Sequence, residues 1–298
     1  MEQKSDETPK EEIKAEITKL IALVNDSDIS SIKSIVSGIV KIINDPDSTA
    51  KNLKDVISID PPLTAKVLTR ANSAYFSSGH QISEIEKAVI WIGFDALKEL
   101  ALNQKICEVF KKDDSVEGFS RVLLWKNSVA VALLAKMILR REFKEGGENL
   151  YVAGLLHNLG IIIEDKFIQD KFKNILKKAV NEKRSLSEVE SEVLGYDHTE
   201  LGMAIIESWN LPPELAAVVR YHHNPLEAPL SYSRNTLVLF VADCVCQAMG
   251  LGFGDAPYPD KVLFLECLRN LGLERQAVNL IVKDVKKEIA KMEELGWL

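Results

Sequence analysis

The chain is predicted to fold entirely into α-helices, and three observations carry that prediction. Apolar residues recur three and four positions apart in segment after segment. No run alternates apolar and polar residues for long enough to form a half-buried strand. Pro61 and Pro62, Gly93, Gly146 and Gly147, and Ser185 with Glu188 fall where helices are expected to start or stop.

The opening MEQKSDETPKEEIKAEITK mixes both charge signs and has no apolar core, so no secretion signal is read there. Residues 1–20 are taken as a charged N-terminal segment. In PPLTAKVLTRANSAYF, Leu63, Val67, Leu68, Ala71, Ala74 and Tyr75 fall on one stripe, with two prolines at its start. Asn72 and Ser73 near its end read as backbone-capping residues. EIEKAVIWIG stops at Gly93, and FDALKELALNQKICEVF begins the next helix. The charged break KKDDSVEG, residues 111–118, is the boundary between two helical bundles, 21–115 and 116–298.

RVLLWKNSVAVALLAKMILRRE then reads as one long helix, and GGENLYVAGLLHNLGIIIEDKF as another opened by Gly146 and Gly147. Ser185 and Glu188 have the spacing of a capping box, which makes SLSEVESEVLG helical up to Gly195. The following helix carries His198 and ends near Trp209, before Pro212 and Pro213 restart the chain. His222 and His223 precede Asn224-Pro225 and so lie at a helix C-terminus. TLVLFVADCVCQAMGLGF, residues 236–253, contains Asp243 and Gln247 and reads as a buried core helix rather than a membrane span. In the last segment Val278, Ile281, Val285, Ile289 and Met292 share one face, which either covers the core or docks a partner or a second copy. Trp91, Trp125 and Trp209 are read as packing residues.

Composition sets outer limits on function. A chain of 298 residues with 46% hydrophobic and 27% charged residues is ordinary for a folded protein. The net charge of -7 disfavours indiscriminate binding to nucleic acid or anionic membrane. Four cysteines (Cys107, Cys244, Cys246 and Cys267) make no disulfide framework in a chain this long. Cys244 and Cys246 would point to nearly opposite sides of a helix, which argues against a shared metal. Reduced, buried thiols in a cytoplasmic protein are expected.

The run DPPLTAKVLTRANSAYFSSGHQISEIEKAVIWIGFDALKEL resembles the N-terminal half of an HDOD domain: an Asp-Pro before a helix, an Ala-Asn-Ser-Ala segment and an Ile-Gly turn. LWKNSVAVA, YVAGLLHNLG and GYDHTELGMAIIESWNLPPELAAVVRYHHNP resemble its second half in the same order, so the match spans roughly residues 35–230. HDOD domains are degenerate relatives of the HD phosphohydrolases. The resemblance implies a small helical bundle in front of an HD-like one, and a role in bacterial signalling or regulation rather than catalysis.

The HD metal set is a His, a His-Asp pair and a distant Asp. On this chain the first His falls at Asn127, the pair reads His157-Asn158, and the distant Asp maps to Asp243. His198, His222 and His223 resemble the additional histidines of two-metal HD enzymes, while the Gly-Tyr-Pro extension of cyclic-dinucleotide phosphodiesterases is missing. Asn127, His157, Asn158, His198, His222, His223 and Asp243 are therefore the candidate pocket residues, and no catalytic residue is assigned. No cofactor is expected; the alternative is a divalent metal on His157, His198, His222, His223 and Asp243, because transition ions take imidazole and carboxylate.

Bland readings stand beside these. His157 and His198 would be hydrogen-bonded relics, Asn127 and Asn158 amides paired across the bundle, and His222 a cap for free carbonyls. Lys126 is expected to face solvent beside the pocket. The expected protein is a non-catalytic regulator that works through a protein partner, or through a nucleotide- or phosphate-type ligand. It binds no nucleic acid, inserts in no membrane, and has a homodimer as an option. The alternative is a metal-dependent phosphohydrolase acting on a nucleotide or phosphoester.

Overall fold

A computed structural model of the chain describes residues 7–73, 76, 81–110, 119–252 and 261–294. Among the described residues there is no β-strand. The charged break at 111–118, together with Ala74 and Tyr75 of the predicted stripe, lies outside them.

Helix α1 (Glu7–Asn25) is followed by a first bundle of α2 (Ser30–Ile43), α3 (Ala50–Ser58), α4 (Pro61–Ala71), α5 (Ile85–Ile92) and α6 (Phe94–Phe110). The local chemistry of its ends is explicit. The Asp60 side chain accepts from the Leu63 amide at 2.9 Å, capping α4 just before its two prolines. Asn72 ends α4, and its side chain bonds both the amide and the carbonyl of Ile82 at 2.7 Å, pinning the approach to α5. This bundle does not bury every aromatic. Trp91 is 55% exposed, contrary to its reading as a packing residue, because the buried side of α5 is set by Ile85 and Ala88.

The second bundle contains α7 (Arg121–Ile138), extended by a π-helical turn (Leu139–Phe143), then α8 (Glu148–Leu156), α9 (Leu159–Phe167), α10 (Gln169–Glu182) and α11 (Leu186–Leu194). It continues through α12 (His198–Ser208), α13 (Pro213–Tyr221), α14 (Ser233–Ala248), α15 (Lys261–Leu271) and α16 (Arg275–Glu294). Helix α7 packs on α8, α14 and α16, while α12 packs on α9 and α13. The bundles meet where α6 and α2 lie against α7 and α8. Helix α1 packs on α9 and α12, so residues 7–20 of the charged opening are part of a helix seated on the second bundle.

Helix α7 through its π turn is long and apolar enough to cross a membrane by length and composition, but 78% of that stretch is buried inside the protein. Helix α14 is likewise a core helix, and all four cysteines are buried thiols outside any disulfide. The apolar face of α16 is covered rather than displayed. Val278, Ile281, Val285, Ile289 and Met292 are all buried, each worth about 1.5–3 kcal/mol over exposure.

One predicted helix is two. The segment opened by Gly146 and Gly147 breaks at His157-Asn158, between α8 and α9. Two close approaches explain the corner. A Cβ on Gly154 would sit 2.6 Å from the Ala132 Cα of α7, and one on Gly160 would overlap the His198 carbonyl oxygen at the start of α12. The chain turns so that α8 can lie flat on α7 while α9 reaches α12.

Candidate functional site

Three helix junctions of the second bundle converge: the α8–α9 corner, the start of α12 and the end of α13. Their side chains meet Asn127 of α7 and Asp243 of α14, so the residues singled out in the sequence lie together. Asn127, His157, Asn158, His198, His222 and Asp243 are all buried, and His223 is half-buried.

The cluster has two ends. At the first, Asn158 Nδ2 donates to His157 Nε2 at 2.8 Å and to Asn127 Oδ1 at 3.3 Å. Asn127 Nδ2 donates to Asp243 Oδ1 at 3.4 Å, and Gln247 Nε2 to Asp243 Oδ2 at 2.9 Å. His157 Nδ1 lies 2.7 Å from the Gly154 carbonyl, so that nitrogen carries the hydrogen and Nε2 accepts. At this end both oxygens of Asp243 and Nε2 of His157 thus accept from side-chain amides. The two oxygens of Asp243 are occupied by Asn127 and Gln247, and the ring of His157 by Gly154 and Asn158. This donor set does not fit a divalent ion, since two uncharged amides stand where an imidazole and a carboxylate would bind it.

The second end is imidazole. His198 Nε2 lies 3.0 Å from His223 Nε2, and the His222 ring lies 4.0 Å from that of His223 between centroids. Glu190 accepts from both the backbone amide of His198, at 2.9 Å, and its Nδ1, at 2.6 Å. His222 repeats the geometry of His157: it is the C-cap of its helix, and its Nδ1 lies 2.7 Å from the carbonyl of Val219, three residues back. Capping by His222 is therefore real, and it uses one nitrogen. The other, Nε2, is buried with no hydrogen-bond partner.

Electrostatics sort the four rings. Burial holds His157 below the ordinary imidazole value and His222 well below it, with neighbouring histidine charges adding to the effect on both. His223 is pulled down to about 3, first by burial and then by His198. Burial acts the same way on His198, but the Glu190 carboxylate, with help from Asp197 and Asp243, outweighs it and raises that ring's pKa. Of the four rings His198 is the one whose protonated form is favoured, and that form would donate from Nε2 to His223.

Sequence reading missed the acids behind this end. Glu190 and Glu164 are fully buried. Glu190 stands one turn from both Leu186 and Leu194, on the buried row of an otherwise exposed helix, and that placement is the signal that marks it. Burial, then the charge of Glu190, pushes the Glu164 carboxyl well above the carboxylate range, so its protonated form is favoured in the folded protein. The unfolded chain would ionise Glu164 in the ordinary range, and unfolding therefore releases its proton. Stability linked to Glu164 is complete below that range and falls as pH rises toward the folded value; His198, also raised, adds a further fall as pH rises through its own folded value. Glu164→Gln should consequently melt higher than the parent at pH 8, with the gap closing near pH 4. A gap that widened on acidification would refute the protonated acid. Lys126, expected to face solvent, forms an exposed pair with Glu293 of α16 at 2.8 Å.

The family model for the HDOD domain matches residues 29–225. The chain belongs to the HDOD domain family. An HDOD domain protein of unknown function from Geobacter sulfurreducens shares 30% identity with a TM-score of 0.70, over 87% of this chain and 89% of that one. A protein from Marinobacter aquaeolei VT8, provisionally described as a signal transduction protein, superposes with a TM-score of 0.72 at 21% identity, over 88% of this chain and 58% of that one. One from Shewanella amazonensis SB2B, provisionally described as a phosphohydrolase, gives 0.63 at 24% identity, over 88% and 90%. An uncharacterised protein of Treponema pallidum (strain Nichols) is 25% identical over 253 residues, which are 83% of this HDOD chain and 47% of the relative. The chain thus spans about half the length of the curated relative it matches.

Proposed function

We propose that this HDOD protein is a non-catalytic regulator in a bacterial signalling pathway, acting in the cytoplasm through a protein partner or a nucleotide- or phosphate-type ligand. The observation that supports the reading is the hydrogen-bonded chain Asn158–Asn127–Asp243–Gln247, in which amides stand at two positions that the resemblance gives to the ion ligands of an HD hydrolase. Asn127 and Asn158 bring neither the imidazole nor the negative charge that a transition ion selects. The Marinobacter description agrees with this reading and the Shewanella description with the alternative; at 21% and 24% identity both speak to fold alone.

The second reading is a metal-dependent phosphohydrolase. Its support is the pair of histidines, His222 and His223, that faces His198 at the other end of the cluster. Bound there, an ion would activate water and polarise a phosphoryl oxygen.

A hydrolysis screen on nucleotides and phosphodiesters, with magnesium, manganese or nickel supplied, decides between them. No turnover above background is expected. The double variant Asn127→His with Asn158→Asp should bind divalent metal more tightly than the parent, since it returns an imidazole and a negative charge to the ligand set. Robust hydrolysis by the parent, abolished in His157→Ala, would establish the enzyme instead.

A further inference from the structure

We propose that a cavity between the two bundles, bounded by α6, α7, α8 and α16, binds a small flat aminoheterocycle of the free-nucleobase class. The inference goes beyond the regulatory reading, because it places a ligand away from the histidine cluster and gives it a chemistry without phosphate.

The cavity measures about 110 Å³. That is well above the ~10–15 Å³ that admits one water and below the roughly 300–1,000 Å³ of a pocket for a drug-sized molecule, so it suits a ligand of one or two rings. Glu99, Asn103 and Gln104 of α6 line it together with Tyr151 of α8 and Glu288 of α16. Leu133 and Tyr151 stand six residues along α7 and α8 from Asn127 and His157, about 9 Å in each case. The cavity and the histidine cluster are therefore different places on the same two helices.

Two neutral amides mark the site. Asn103 and Gln104 are only 8% and 5% exposed. Asn103 Oδ1 accepts from the Tyr151 hydroxyl at 3.0 Å, which leaves its amide hydrogens without a bond among the described residues. The Gln104 side chain makes no hydrogen bond among them at all; only its backbone carbonyl is used, by Cys107. Buried amides are ordinarily paired, so two adjacent ones lining a cavity with their hydrogens unused point to a ligand that both donates and accepts.

The rest of the polar lining is anionic. Among the described residues no Lys, Arg or His lines the cavity, and Lys136 beside it is engaged by Glu99 and Glu148. Burial raises the Tyr151 phenol well above its ordinary value and the charges of Glu99 and Glu288 add to that, which marks a negative field. Such a field repels phosphate and favours N–H donors. An aliphatic ammonium ion only donates, and would leave the hydrogens of Asn103 and Gln104 unanswered. An amine beside a ring nitrogen answers both: the amine donates to the Gln104 oxygen or a carboxylate, and the ring nitrogen accepts from an amide, as when Gln or Asn reads the edge of adenine. Leu100, Leu133 and Met292 give the ring faces apolar walls, and the polarisable sulfur of Met292 suits an aromatic neighbour. Because α6 belongs to the first bundle and the other three helices to the second, the bound ring would hold the two bundles together across their seam.

The test titrates the full chain with adenine and with cytosine by calorimetry. One site per chain is expected, with a higher melting temperature in the bound form. Purine, which lacks the exocyclic amine, should bind about 5–150-fold more weakly than adenine, and adenosine monophosphate should also bind more weakly. Gln104→Leu should weaken adenine binding by a similar factor, about 5–150-fold. Leu133→Phe should abolish binding by filling the cavity with both amides intact. Should Leu133→Phe fail to keep its far-ultraviolet helicity, Gln104→Leu, close to the parent in size, still decides the matter. Absence of binding of either base to the folded parent would overturn the proposal, as would binding undiminished in Gln104→Leu or a preference for spermidine over both bases. None of these readouts depends on the hydrolysis screen, so failure here and failure of the regulatory reading are distinguishable.

Discussion

Gly160→Ala should lower the denaturant midpoint sharply, by about 3 kcal/mol of folding stability. An added Cβ would overlap the carbonyl oxygen of His198, and that oxygen belongs to the backbone of α12 rather than to a side chain that can swing aside. Relief needs α9 and α12 to part, where Leu159, Ile161, His198 and Thr199 are already buried. The same displacement moves His198 away from His223, so loss of stability and loss of the imidazole cluster should appear together. A variant as stable as the parent would mean that the α9–α12 approach is looser than described.

The second large effect is electrostatic. Arg121 opens α7 and its Nε bonds the Asp165 carboxylate of α9, with both residues buried. Arg121→Met keeps the apolar stem but leaves a buried carboxylate without that cation, which should cost about 3–5 kcal/mol. Asp165→Leu placed on top of Arg121→Met should restore most of the loss, because replacing both members of a buried pair with apolar groups is often close to neutral. Thermal melts of the two single variants and the double one give the coupling directly. Additive losses would show that the pair is not the unit of stabilisation.

These two contacts also mark where sequence reading reached its limit. The Ser185–Glu188 capping box, the stop at Gly93 and the apolar face of α16 are local signals, and each appears in the structure where it was read. The corner at His157-Asn158 was not legible. Every residue of α8 from Leu150 to Leu156 is buried, so the segment carries no polar side to phase it, and its end is fixed by α7 and α12 rather than by its own residues. The meeting of His157, His198, His222 and Asp243 came from the family resemblance, since residues so far apart in the chain share no spacing rule. Glu164 and Glu190 were overlooked because acids are ordinarily placed outside, and only the fold reveals that these two are buried close enough for the charge of one to raise the pKa of the other.

Helix α16 has a consequence for how the protein survives damage. It lies across α7, with Lys126–Glu293 and Arg141–Asp284 tying the two helices at either end. Helix α7 is the element whose composition suits a lipid bilayer as well as a protein core. A chain clipped before Arg275 would present part of that helix to water, together with the apolar bed left by five missing side chains. Such a fragment would partition onto membranes or onto its own copies, so the last 20-residue helix is the part that lets the rest of the molecule remain in water.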